Sequence, residues 1–150
     1  MTTQVHDTGE EFAVKDLFRI DLLTKPASVS IGLYNDATDA LSDTSDIGDI
    51  TTEPTGGSFS RQSASFDSAD FTVQDNANGN FEAVIADQTF DTSDSSQDVD
   101  AYFVVVNFQS SDTGDTSAND HLYFTGPLDQ TYDLNSVDQF TLSGAGLEVT

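Results

Sequence analysis

One stretch, Asp100–Phe108 (DAYFVVVNF), constrains what this chain can fold into more than any other. It is the longest nearly unbroken apolar run, and its valines and aromatic residues favour a pleated, buried surface. Side chains alternate along a strand, so Ala101, Phe103 and Val105 point to one face and Tyr102, Val104, Val106 and Phe108 to the other. Apolar residues on both faces predict a central strand, neither an edge strand nor a helix.

The other segments arrange themselves around it. Residues 1–7 are polar and read as a loose tail. Thr8 and Glu11 have capping-box spacing, and Val14, Leu17, Phe18 and Leu22 recur at helical intervals, which predicts a helix from about Gly9 to Leu23 ended by Lys25-Pro26. Ala27–Asn35 alternates as a half-buried strand with Ala27, Val29, Ile31 and Leu33 inward. Residues 36–57 form a long acidic loop in which Leu41, Ile47 and Ile50 are placed to tack it to the body. Ser58–Phe66, Ala69–Gln74 and Phe81–Ala86 read as strands, the last with Phe81, Ala83 and Ile85 on one face, and residues 75–80 as a turn. Two further Ser/Asp loops, 91–98 and 110–119, flank the central strand. Leu122–Thr125, closed by Pro127, then Val137–Leu142 and Leu147–Thr150 complete the set. About seven or eight short strands joined by polar turns predict a mainly β chain. The expected form is one domain of 150 residues, an antiparallel β-sandwich or, as one version of it, a jelly roll, with residues 1–25 as tail and short N-terminal helix.

Charge enters because it limits partners. Asp and Glu number 27 against four Lys and Arg, for a net charge of −23, and Asp outnumbers Glu by 22 to 5. Apolar residues are nevertheless 36%, with eleven Phe, so a core is available and disorder is not implied. Self-repulsion of this size is tolerable where salt screens it, the screening length being about 3 Å at 1 M. Scarce Lys and abundant Asp on a foldable chain point to an extreme halophile. The same charge argues against nucleic acid and anionic membrane as partners. No apolar run approaches the length of a membrane span and no signal-peptide pattern opens the chain, which predicts synthesis in the cytoplasm.

Chemistry-bearing patterns are few. There is no cysteine, so disulfides and Cys-ligated metals are out. His6, in the expected tail, and His121, at a strand start, have no metal-ligand spacing, and no cofactor is implied. Acidic loops offer oxygen ligands for calcium at Asp91/Asp94/Asp98, at Asp43/Asp46/Asp49 and at Asp112/Asp115, but without EF-hand spacing, and solvated, salt-adapted loops are the simpler reading. Paired carboxylates abound too freely to single out a glycosidase pair, and there is no Trp. Of the four cations, Lys15, Arg19 and Lys25 lie on or just after the helix, either as a solvated face or as a docking segment for an acidic partner. Arg61, placed on the same face as Phe59, reads as a clamp on nearby carboxylates or as a contact to a neighbouring subunit.

Three segments in order resemble a family of small tailed-virus structural proteins. They are a helix with Leu17-Phe18-Arg19 followed by Pro26-Ala27 and a strand ending Gly32-Leu33-Tyr34; the signature Glu53-x-x-Gly56-Gly57-x-Phe59-x-Arg61-Gln62; and Leu122–Leu128 with Val137–Phe140 and Leu147–Thr150. Long acidic insertions and Gln139 depart from the family pattern. Members are described as capsid decoration (cement) proteins or as tail-fibre-like proteins. The resemblance, joined to the charge, implies a virion protein of a halophilic archaeal tailed virus. It would sit on the capsid surface, bind the major capsid protein, form a homo-oligomer and catalyse nothing. Lys15, Arg19 and Arg61 are the partner-binding candidates. A tail or fibre component is the alternative within the class, and a secreted calcium- or carbohydrate-binding module or an enzyme the alternatives outside it.

Overall fold

Strand β8 (Asp98–Ser110) is the axis of the molecule, and its two faces are buried as the alternation requires. The computed structural model describes residues 3–18, 23–24, 28–75, 79–110 and 119–149. In chain order the elements are β1 (Gln4–Val5), α1 (Asp7–Phe18), β2 (Leu23–Thr24), β3 (Ser28–Tyr34), α2 (Asp36–Asp39), β4 (Gln62–Ser65), β5 (Phe71–Asp75), β6 (Phe81–Ile85), β7 (Gln88–Asp91), β8, β9 (Asn119–Asp133), β10 (Gln139–Leu142) and β11 (Gly146–Val149). Single 3-10 turns occupy Ile47–Asp49 and Leu134–Ser136.

The fold is mainly β, every strand pairing among the described residues is antiparallel, and one main helix lies near the N-terminus. The large sheet has the order β1-β9-β8-β3-β4, with β2 pairing the far end of β8. Two small sheets, β10-β7 and β11-β6-β5, supply its cover. Tyr102, Val104, Val106 and Phe108 join Val29, Ile31, Leu33 and Phe124 in the main core, closed by Ile85, Phe90, Phe140 and Leu142 of the small sheets and by Phe12 of α1. Ala101, Phe103 and Val105 form a second cluster with Tyr34 and Leu122, against which Leu41, Ile47 and Ile50 of the acidic loop pack. The sequence predicts the division of β8 between the two clusters and the inward placing of Val29, Ile31 and Leu33. Gly32 faces Phe103 across the β3–β8 ladder, and a Cβ there would lie 2.3 Å from the ring, so only glycine lets the ring cross the neighbouring strand.

Four expectations are corrected. The described part of the tail, from residue 3, is not loose: Gln4 and Val5 pair with Thr125 and Phe124, and the His6 amide donates to the Tyr123 carbonyl (3.0 Å). The helix begins at Asp7, Thr8 donates its hydroxyl to the Leu122 carbonyl (2.6 Å) instead of capping, and Leu23 lies in a strand. Proline 127 does not close a strand. β9 runs through it to Asp133, and Pro127 sits opposite Ala101 where the β8–β9 register shifts, a break at which a missing N–H is tolerated. Ser58–Arg61 lie outside β4, so the strand expected from Ser58 starts only at Gln62. The segment Gln88–Asp91, which no pattern in the sequence marks, is also a strand, with Gln88 and Phe90 inward.

Candidate interaction surface

The segment carrying the most specific part of the resemblance, Glu53–Gln62, is built as a closed clamp. Arg61 donates from Nε to Glu53 Oε1 (2.7 Å) and from Nη2 to Glu53 Oε2 (2.8 Å), the bidentate geometry that suits guanidinium to carboxylate. Its Nη1 lies 3.5 Å from Asp120 Oδ2 on β9, and its guanidinium carbon sits 4.9 Å from the centre of the Phe103 ring. The Glu53 bonds hold the arginine pKa above its ordinary value even though its burial works the other way. Between the two ends, the Asp94 carboxylate accepts the Ser58 amide (3.0 and 3.1 Å). A Cβ on Gly56 would meet that carboxylate at 2.3 Å, so the turn can seat Asp94 only with glycine there. Phe59 stacks on Phe90 at 5.6 Å in the main core, whereas Arg61 covers Phe103 in the second cluster. The two side chains therefore serve opposite sides of the sheet, not the one face expected for them.

The rest of the acidic loop is fastened in the same manner. Asp39 accepts the amides and hydroxyls of Thr51 and Thr52, with hydroxyl distances of 2.6 and 2.7 Å. Burial alone would raise its pKa, and these donors outweigh that and lower it. Asp100 of β8 accepts the Asp36 amide (2.6 Å), Asp46 and Asp49 form a reciprocal capping box, and Tyr34 donates to Asp36 (3.0 Å). Burial, then the Asp36 charge, pushes the Tyr34 hydroxyl far above its ordinary pKa.

The calcium candidates are engaged separately. Asp91 accepts the amide and hydroxyl of Ser93, Asp94 caps Ser58, and Asp98 lies on β8 with its carbonyl accepting the Asn35 amide group. Among the described residues no three His, Asp or Glu side chains converge as metal ligands. Asp112 and Asp115 lie outside the described residues.

Of the partner-binding candidates, Lys15 is ion-paired with Glu11 one helical turn away, its side chain 14% exposed. Arg61 is held in the clamp, and Arg19 and Lys25 lie outside the described residues. Apolar side chains stand out instead. The helical stripe faces solvent: Val14, Leu17 and Phe18 are 58, 74 and 73% exposed, while Phe12 and Gly9 point inward. On the small sheet Val73 and Phe81 are 71 and 61% exposed. Beside them runs an apolar groove of about 530 Å³ lined by Phe66, Phe71, Val73, Ala83, Tyr123 and Leu147, among others. By alternation Phe81 shares a face with Ile85, but the covering layer ends before the strand does.

No protein-family model, curated protein or solved structure matches this chain. No described helix is long and apolar enough to cross a membrane.

Proposed function

We propose that this chain is a structural protein of a virion, a decoration (cement) protein that binds the major capsid protein and strengthens the head of a tailed virus of halophilic archaea. It acts by binding, not by catalysis. The observation that carries this reading is the Glu53–Gln62 segment. The residues that make the resemblance specific are also the ones the fold uses: Glu53 and Arg61 close the clamp, Gly56 admits Asp94, Phe59 packs on Phe90, and Gln62 pairs with Ile31. The distribution of side chains supports it as well. The fastened acidic loop covers one side of the large sheet, while exposed apolar side chains collect on α1 and on the β5–β6 hairpin. A protein seated on a shell needs a surface that favours water and another that favours a neighbour.

In this reading the acidic loops face outward and the apolar residues face the shell or a second copy of the chain. Lys15 and Arg61 can reach a partner only by giving up Glu11 and Glu53, so apolar contact dominates and Lys15 lies at its margin. A protein that binds only the assembled shell adds its binding free energy to the shell's stability. Particles lacking it should assemble but break at lower temperature or lower salt than complete ones, and labelled protein should occupy many regularly spaced sites over the head. Label confined to the tail, in a few copies, would replace this reading with a fibre component.

A further inference from the structure

We infer that the groove beside β5 docks an extended segment of a partner protein in which large apolar residues alternate with lysine or arginine. The inference deepens the decoration reading, and rests on it in taking the capsid protein as the owner of that segment and molar salt as the medium.

The first observation is an apolar sheet face that outruns its core. Along β6, Ile85 is fully covered, Ala83 half-covered and Phe81 mostly bare; along β5, Phe71 is partly covered and Val73 bare. Val73, Ala83 and Leu147 stand in register across the three strands, so the exposed part is continuous, and Tyr123 forms the facing wall of the groove. The second is the edge itself. β5 pairs with β6 on one side, and no described strand pairs with its other side. There the Phe71 amide is taken by the Asp67 carbonyl (2.9 Å), and the docking edge therefore begins beyond it, around Val73. An extended chain can satisfy that edge with backbone bonds, which a docked helix cannot. A strand added there places alternate side chains over the groove and the others beside Thr72 and Gln74.

Charge selects the occupant. Asp67 lines the groove, Asp70 and Asp75 bracket β5, and Gln74 is bonded to Glu82 across the hairpin (2.7 Å). The described cations, Lys15 and Arg61, are ion-paired elsewhere. A second copy would press the same carboxylates, Asp67, Asp70 and Asp75, directly against this rim. At about 1 M salt, screening within about 3 Å leaves only charges in direct contact effective, so the partner's cations must sit in the docked segment itself.

The test uses the isotope-labelled full chain in about 1 M salt and a short synthetic peptide of alternating valine and lysine, read by amide chemical shifts. Shifts should concentrate on Phe71–Asp75, Phe81–Ala83 and Tyr123. Binding should weaken at least about tenfold in the Val73→Asp/Phe81→Asp variant, whose side chains are exposed enough to leave melting unchanged. A peptide with glutamate for lysine should bind about tenfold more weakly than the lysine one. Shifts elsewhere, equal binding by both peptides, or self-association of the free protein that this variant abolishes would each overturn the inference, the last by making a second copy the occupant. Capsid particles stripped of the protein separate the two readings. Rebinding of wild type but not of the variant supports the inference, and rebinding by both overturns it. Failure of wild type to rebind while the valine–lysine peptide still maps to β5 counts against the decoration reading alone.

Discussion

Behind Tyr102 and Val104 the central sheet is covered by strands; behind Phe103 and Val105 it is covered by a loop. The strand side is sealed with large side chains, Phe12, Phe90, Phe124 and Phe140 among them, in ring contacts such as Phe12–Phe108 at 5.1 Å and Tyr132–Phe140 at 4.8 Å. The loop side has only Leu41, Ile47 and Ile50 to offer, all partly buried. What it has instead is a set of carboxylates turned onto backbone amides: Asp39, Asp46, Asp94 and Asp100, with Glu53 on Arg61. The comparison changes what the acidic composition means. Asp46 takes an amide two residues on, the local reach of a short side chain, whereas Asp39, Asp94 and Asp100 take amides 12 to 64 residues away. The excess of Asp over Glu therefore fastens loops as well as charging the surface, and these loops are not merely solvated.

The largest expected effect comes from breaking the strand side. Val104→Asp places a carboxylate among Val29, Phe124 and their neighbours with no partner, at a cost of several kcal/mol. The variant should fail to fold, giving insoluble protein or a chain without native circular dichroism. Soluble protein with unchanged melting would sink the assignment of β8 as the doubly buried strand.

A smaller effect is expected on the loop side. Arg61→Ala removes both bonds to Glu53, leaves that carboxylate facing Asp120 and uncovers Phe103. Hydrogen bonds to charged groups contribute about 1.5–3 kcal/mol, and partial exposure of this pair puts the loss at the lower end. Hydrogen exchange should quicken across residues 36–61 while β7 and β10 keep their protection. Uniform loss of protection over both sides would mean that the two covers are one cooperative unit, and the contrast between them would fall.

The sequence makes the strand side legible because alternation reports burial directly: Val29, Ile31 and Leu33, and the split of β8 into two faces, follow from spacing alone. It also marks Leu41, Ile47 and Ile50 as the residues that tack the loop down, since isolated aliphatics in an acidic stretch have few other uses. Distant polar pairings leave no periodic trace. Nothing in the chain announces that Asp94 will cap Ser58, that Asp100 will hold the start of α2, or that Thr125 will meet His6. The helix is legible as a helix, but which of its faces is buried is not. Its periodic apolar residues, Val14, Leu17 and Phe18, form an outward stripe, and the inward pair, Gly9 and Phe12, makes no pattern.

The smallest effect concerns the place where the two covers meet. His6 is fully buried: its Nε2 lies 3.2 Å from Thr125 Oγ1, its Nδ1 has no hydrogen-bond partner, and the next amide, of Asp7, donates to the Asp43 carbonyl (3.2 Å) in the acidic loop. Burial lowers its pKa below 6.5, more than the neighbouring Ser42 and Asp43 groups raise it. The folded state therefore holds His6 neutral. Below pH 6.5 the unfolded chain takes up a proton that the folded one does not, so this contribution is complete above that value and declines as pH falls toward the folded pKa. The slope cannot exceed about 1.4 kcal/mol per pH unit for one proton. Asp39 behaves differently: its pKa is lowered from 3.8, so its contribution persists through this window and is lost only in stronger acid. Denaturant titrations between about pH 7 and pH 5 should show wild-type stability falling with pH and His6→Gln nearly flat, the variant being weaker at neutral pH. Equal slopes would show that His6 can be protonated in place, and that the junction between N-terminal strand and loop opens to water without unfolding the sheet.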